Sequence, residues 1–366
     1  MHRHLRAAVS MSITLVFTPA LTACLQPEQL GGTEQSTNVG DLGSALGFDV
    51  ATGTTTGLSN DTMPLCTSSN APDATYTWTA PSAGAYIFTT LGSTFDTVLE
   101  VFQREDLHCN DDSNGTLQST VNVRLAAGER VGIVIDGFST ANGNYQLNIA
   151  RISTDGLQLW LRGDAGITTS SRVGVWADQS GNGRNAVMSV ATRQPFFAPG
   201  TIAGWPTVRF TGAESMTFAS EVAPTGYTIF IVGRNTNSAE TFSIILGPSG
   251  NLPNNQLRWD NGTQALFVDT AASPLITTST IGNTRVFHAL AVRHDGLMQS
   301  VYRDGNLVSS ITSSLSGPWR LGSLGSFYSD AFLHGDIAEI LVYARPLAEA
   351  ERLEVNDYLR NKYHLP

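Results

Sequence analysis

The feature that most limits what this 366-residue chain can fold into is a succession of short alternating runs, each closed by turn residues. Ala74 to Thr79, Gly84 to Thr90, Thr97 to Phe102, Ser119 to Leu125, Arg130 to Asp136 and Asn144 to Ile149 all read as β-type segments, with the period of two that buries one face of a strand. Pro81-Ser82-Ala83-Gly84, Asn114-Gly115, Ala127-Gly128-Glu129 and Asn142-Gly143 separate them with residues suited to tight reversals. Tyr76 with Trp78, and Tyr86 with Phe88, put aromatic rings on one face of their strands. Residues 41–152 are therefore expected to form a small β-sandwich.

A second stretch of the same texture occupies residues 155–366. Leu157 to Leu161, Thr207 to Phe210, Thr228 to Val232, Ala265 to Val268 and Gln299 to Tyr302 are its strand-like runs, and Asp260-Asn261-Gly262 and Asp304-Gly305-Asn306 supply the positive-φ residues of hairpins. Only after Pro346 does the period lengthen. From Ala348 to Lys362, Leu353, Val355 and Leu359 stand among charges, as on a short amphipathic helix. The expected fold class is all-β, a small β-sandwich followed by a larger one with a short C-terminal helix.

The N-terminus differs. Arg3 and Arg6 precede an apolar run from Ala7 to Phe17, which is far short of the ~20 residues of a spanning helix, and Pro19 leads to Leu21-Thr22-Ala23-Cys24. That string resembles a bacterial lipobox. The resemblance implies that residues 1–23 are a lipoprotein signal peptide and that Cys24 carries acyl chains, so the protein is exported and reaches the membrane through its N-terminal lipid. Residues 24–40, polar and glycine-containing, read as a flexible tether. Leu25 is not the Asp that, by resemblance to lipoprotein sorting, favours retention at the inner membrane, so an outer-membrane or cell-surface address is expected. With Cys24 lipidated, Cys66 and Cys109 remain as an even pair, either a disulfide or two buried thiols.

Charge narrows the partners. Without Arg3 and Arg6 the chain keeps 19 basic against 31 acidic side chains, a net charge near −12 that repels phosphate backbones and excludes nucleic acid. Lys362 is the only lysine, and no basic run exists to hold an anionic membrane surface.

Two family resemblances follow from longer strings. Ala71 to Pro81, Gly84-Ala85-Tyr86, Phe95 to Leu99, Cys109-Asn110-Asp111-Asp112 and Gly143 to Leu147 resemble, in that order, the bacterial pre-peptidase C-terminal domain. This implies a non-catalytic appendage of exported proteins, whose relatives bind matrix polymers or calcium. Trp176 to Ala186, Val301 to Asn306, and Gly335 to Tyr343 with Pro346-Leu347 resemble the laminin-G-like, concanavalin A-like jelly roll. That implies two curved antiparallel sheets binding glycan or protein, sometimes through calcium.

Because the concanavalin A-like fold also houses glucanases, acidic pairs matter. Asp336 and Glu339 are the obvious pair, but positions three apart on a regular strand face opposite ways and cannot flank one glycosidic bond. The glucanase pattern Glu-x-Asp-x-x-Glu is absent. His108, His288, His294, His334 and His364 lack metalloprotease spacing, and no Gly-x-Ser-x-Gly elbow occurs. No enzyme is expected.

Calcium is the cofactor to consider. Asp178-Gln179-Ser180-Gly181-Asn182-Gly183 presents side-chain oxygens in a tight loop; Ser189 stands where an EF-hand needs Glu, so Asp178 and Asn182 would require a distant partner, by resemblance Asp336. The alternative is an Asx-turn at Asp178. Asn110 to Gly115 invites the same reading, with Val121 in the place of the Glu, and Asp96 could join if loops meet; a plain hairpin turn is the alternative. Trp78 and Trp160 are expected in cores, with Trp205, Trp259 and Trp319 nearer loop rims. The resulting expectation is a lipid-anchored envelope protein that binds extracellular polysaccharide or protein without turnover. The alternatives are a cryptic glycoside hydrolase or lyase, or a purely structural envelope protein.

Overall fold

The computed structural model describes residues 38–103, 106–113, 116–168, 171–236, 242–248, 256–260, 263–270, 273–313, 317–327 and 331–366. Cys24, Asn114-Gly115 and Asn261-Gly262 lie outside the described residues.

The first sandwich contains β1 (Asn38–Asp41), β2 (Gly47–Thr54), β3 (Ala74–Thr79), β4 (Gly84–Thr89), β5 (Thr97–Gln103), β6 (Asp106–Asn110), β7 (Thr120–Leu125), β8 (Arg130–Gly137) and β9 (Asn144–Ile152). One sheet has the order β1-β3-β8-β5-β6 and the other β2-β9-β4-β7. The expected runs became strands because alternation alone suffices to bury Tyr76, Trp78, Tyr86, Phe88, Val121 and Val123 in one core. Trp78 packs edge-on to Tyr86 and Phe88, with ring centroids 4.9 and 5.5 Å away, contacts worth roughly 0.5–1.5 kcal/mol each beyond their burial. Three strands escaped the pattern, β1, β2 and the short β6. β1 takes the end of the expected tether and pairs in parallel with β3, so that reading is corrected at Asn38; β2 is rich in Gly and Thr and has little apolar signal.

The second sandwich contains β10 (Leu157–Arg162), β11 (Val175–Trp176), β12 (Ala186–Val187), β13 (Phe196–Ile202), β14 (Trp205–Thr211), β15 (Met216–Val222), β16 (Tyr227–Asn235), β17 (Phe242–Gly247), β18 (Gln256–Asp260), β19 (Ala265–Thr270), β20 (Ser273–Thr280), β21 (His288–His294), β22 (Met298–Arg303), β23 (Asn306–Thr312), β24 (Leu321–Leu324), β25 (Ser326–Phe327), β26 (Ala331–Phe332) and β27 (His334–Tyr343). One eight-stranded sheet runs β13-β14-β27-β16-β21-β22-β23, with β10 joining β27 beyond the end of β14. The facing sheet runs β11-β12-β15-β24-β17-β18-β19-β20, and β25 pairs with β26 apart from both. Asp304 and Gly305, at φ 51° and 87°, make the two-residue turn between β22 and β23.

The helix α1 (Glu349–Lys362) closes the chain. The Glu351 carboxylate accepts from the Ala348 N–H at 3.2 Å, half of a capping box, and is gripped at its other side by Arg345. Arg352, Val355, Leu359 and Lys362 form its buried stripe, whereas Leu353, expected in that stripe, is exposed. A third apolar cluster joins the two sandwiches. Ala85, Ile87 and Ile152 of the first meet Trp160, Phe230, Leu341 and Tyr343 from the outer face of the β27 sheet, together with Val355, Tyr358 and Leu359 of α1. That outer face is therefore covered. Among the described residues no helix is long and apolar enough to cross a membrane.

Candidate functional site

Asp178 organises its own loop. Its Oδ1 accepts from the N–H groups of Trp160 and Ser180, both at 2.9 Å, and its Oδ2 from the Ser180 hydroxyl at 2.7 Å and the Arg184 N–H at 3.0 Å. This is the Asx-turn geometry. Asn182 Nδ2 donates to the Leu157 carbonyl at 2.8 Å, and Arg124 of the first sandwich donates to the Gln179 and Ser180 carbonyls. Asp336 does not come to this loop. Trp160 pairs with Leu341, while Asp336 pairs with Arg209 nearer the other end of β27, on the order of 15 Å along the strand. Asp178, Asn182 and Asp336 thus form no common ligand set, because the strand that carries Asp336 passes the loop with a different residue.

The expected opposition of Asp336 and Glu339 is overturned by a β-bulge. Val232 pairs with Glu339 but Gly233 with Ile337, leaving Ala338 as an extra residue. Ile337 and Ile340 both lie in the core, whereas Ala338 and Leu341 both lie in the outer cluster, so the phase of the strand slips by one. Both carboxylates end on the covered outer face. Each is taken up by cations. Arg209 donates to Asp336 through Nε at 2.6 Å and Nη2 at 3.2 Å, and Arg234 through Nε at 2.8 Å.

Glu339 accepts from Trp160 Nε1 at 2.6 Å, the Tyr363 hydroxyl at 2.8 Å, Lys362 Nζ at 2.9 Å and the Tyr358 hydroxyl at 3.2 Å. Lys362 Nζ also donates to Asp164 at 2.8 Å, and Arg162 donates to Asp164 at 2.6 Å and to Asn122 of the first sandwich at 2.9 Å. Two cations and two anions are therefore buried together. Burial alone would raise the Asp164 carboxyl, but Arg162 and Lys362 hold it well below the usual carboxylate range. Burial, and then the Glu339 charge, push the Tyr358 and Tyr363 hydroxyls up, so they stay protonated donors. A cavity of about 30 Å³ beside Arg162, Trp205, Tyr358 and Lys362 has room for about one water.

In the first sandwich the loops do meet. Asp96, Asp111 and Asp112 bring carboxylate oxygens within 4.8 Å of one another. Asp96 Oδ1 and Asp111 Oδ1 are buried and have no hydrogen-bond partner. Burial raises both carboxyls, with the Asp112 charge adding to each. Oxygen-only donors, excess negative charge and orphaned buried acceptors fit a hard divalent cation, and these three residues would hold it. Cys66 and Cys109 form a disulfide nearby in the sequence, between the β2–β3 connection and β6.

The other candidates are occupied by packing. His288 bonds Asp304 at 2.8 Å and the Asn283 carbonyl at 3.2 Å, and His294 bonds the Ser313 carbonyl at 3.0 Å. All six tryptophans are buried, including Trp205, Trp259 and Trp319. Sequence reasoning missed Arg162, Asp164 and Asn122, whose local strings are unremarkable loop and strand text; the solitary Lys362 was the one visible signal.

No protein family and no curated protein matches the chain. Among solved structures, domain 4 of AbnA, a GH43 extracellular arabinanase from Geobacillus stearothermophilus in complex with arabinotriose, is similar at TM-score 0.43 and 17% identity, over 55% of this chain and 98% of that one. Trypanosoma rangeli sialidase in complex with the inhibitor DANA is similar at TM-score 0.41 and 11% identity, over 78% of this chain and 44% of that one. The binding domain of Paraclostridial Mosquitocidal Protein 1 is similar at TM-score 0.43 and 12% identity, over 57% of this chain and 53% of that one. These likenesses are too distant to place the chain in a family.

Proposed function

We propose that the chain is an exported envelope protein, moored through a lipid on Cys24, whose two joined sandwiches bind an extracellular polymer without turning it over, a glycan before a protein. The observation that carries the non-catalytic reading is the burial of Asp336 and Glu339, each 0% exposed and each held by cations, so neither carboxyl can approach a glycosidic bond. The Cys66–Cys109 disulfide supports an oxidising compartment. With one outer face of the second sandwich covered, binding is assigned to the loop rims, and a calcium ion at Asp96, Asp111 and Asp112 would stiffen the rim of the first.

Glycan-array and matrix-protein binding, with and without a chelator, tests this reading. Retention without release of reducing ends is expected, weakened when the cation is removed. Release of product from any polysaccharide, lost on Glu339→Gln in a variant that still melts cooperatively, overturns it. Metabolic labelling with a fatty acid should mark the wild type and not Cys24→Ser; an unlabelled wild type ends the mooring.

A further inference from the structure

The outer face of the five-stranded sheet in the first sandwich buries charge of one sign. Ala74, Tyr76, Leu99, Val101, Ile133 and Ile135 point into the core, so Asp73, Thr75, Glu100 and Asp136 point the other way. Register places Thr75 and Glu100 on either side of Val134, and continues Asp73 opposite Asp136 in the next row. Segment 55–72 covers this face. Its Asp61 and Thr62 N–H groups donate to Asp73 Oδ2 at 2.7 and 2.8 Å, its Leu65 N–H donates to Glu100 at 2.8 Å, and its Ser69 hydroxyl donates to Asp136 Oδ1 at 3.1 Å. The disulfide pins its Cys66 to β6.

Asp73, Glu100 and Asp136 are 1%, 5% and 0% exposed. Asp73 Oδ1, Asp136 Oδ2 and Thr75 Oγ1 have no hydrogen-bond partner. The charges acting on Asp136 are Asp73 from β3 and Glu100 from β5, and the charge acting on Asp73 is Asp61 from the covering segment; all are negative. From β6, Cys109 stands opposite Glu100 but is tied up in the disulfide, while His108 pairs with Asp106 at 3.3 Å. Arg130, at the far end of β8, is held by Asp41 and Thr77.

Three dry carboxylates with no countercharge among the described residues repel one another, and Asp73 and Asp136 lack the donors that their orphaned oxygens need. Their oxygens do not converge as those of Asp96, Asp111 and Asp112 do, within 4.8 Å, so a proton fits better than a metal ion as the missing positive charge. We propose that segment 55–72 is a proton-dependent cover, closed while the Asp73–Glu100–Asp136 group holds a proton and loosened when that group is fully ionised. A proton removes one of three charges and supplies the donor that is lacking. Burial pushes the Asp136 carboxyl up to about 7 against the pull of the Gly137 N–H and Ser69, with Asp73 and Glu100 adding to the rise, which sets the change near neutrality. Burial raises Asp73 and Glu100 as well. The cover carries Met63 and Leu65, 66% and 67% exposed, so loosening it reshapes an apolar tip presented to solvent.

Amide hydrogen exchange on the whole folded protein tests this, read at Asp61, Thr62 and Leu65 and corrected for the intrinsic pH dependence of exchange. Protection should fall at least ~10-fold between about pH 5 and about pH 8, while amides of β4 stay protected. Asp136→Asn, which keeps the shape without the charge, should abolish the fall, and Glu100→Gln serves if that variant does not fold. Equal protection at both pH values overturns the proposal, as does a pH dependence that survives the substitution. Restoration of protection at the higher pH by calcium in Asp96→Asn would assign the site to a cation instead and overturn it too.

Discussion

The protein buries two groups of charged side chains, and they are built on opposite principles. Arg162, Asp164, Glu339 and Lys362, where the sandwiches and the C-terminal helix meet, are matched cation for anion, with the hydroxyls of Tyr358 and Tyr363 filling the remaining acceptor positions on Glu339. Asp73, Glu100 and Asp136 in the first sandwich have backbone and hydroxyl donors but, among the described residues, no cation. A matched network pays its desolvation cost through internal pairing and stays ionised. An unmatched one must change its protonation state to remain dry. The first holds an arrangement in place, whereas the second responds to the medium.

The largest effect expected is from Lys362→Met. It leaves Glu339 and Asp164 buried with a single cation, and denaturant unfolding should show a loss of about 3–5 kcal/mol. A loss below ~1 kcal/mol would mean that the Trp160, Tyr358 and Tyr363 donors suffice and that charge matching is not what distinguishes the two groups.

Stability against pH sharpens the contrast. The Asp136 carboxyl is raised to about 7 from an ordinary value of 3.8, so the folded state binds its proton more tightly than the unfolded chain does. Its contribution is full below the unfolded value and is lost as pH rises towards 7, a fall on the order of 4 kcal/mol that Asp136→Asn should flatten. Asp164 has the opposite sign. Held low by Arg162 and Lys362, it contributes stability above its unfolded value and loses it as the medium becomes more acid. Unfolding curves of the two asparagine variants across the acid range should therefore diverge from the wild type in opposite directions; parallel profiles would break the comparison.

The smallest effect expected is from Asn122→Ala, which removes the Arg162 partner supplied by the first sandwich. A loss of about 1–2 kcal/mol is expected, and a double-mutant cycle with Arg162 should return most of it as coupling. Absence of coupling would mean that the apolar cluster alone joins the sandwiches.

Much of the architecture was legible locally. Alternation located β3, β4, β5, β7, β8 and β9 to within a few residues, and the lengthened period after Pro346 located α1. It failed at β1, whose partner lies far along the chain, and at Leu353, where the buried stripe is set by what lies beneath the helix. The Asp96 loop was legible only as a possibility, because whether Asp111 and Asp112 reach Asp96 depends on two separate turns folding together.

The sequence by itself determined the all-β class, the terminal helix and the candidate acidic residues, since period, turn chemistry and residue type are properties of neighbours along the chain. Only the tertiary structure decided which charges are matched. One extra residue at Ala338 put Asp336 and Glu339 on the same face, and strand register set Asp73 beside Asp136 with no cation between them among the described residues. Such contacts join residues distant in sequence, and their energy depends on which groups share a dry volume rather than on the spacing within any one string.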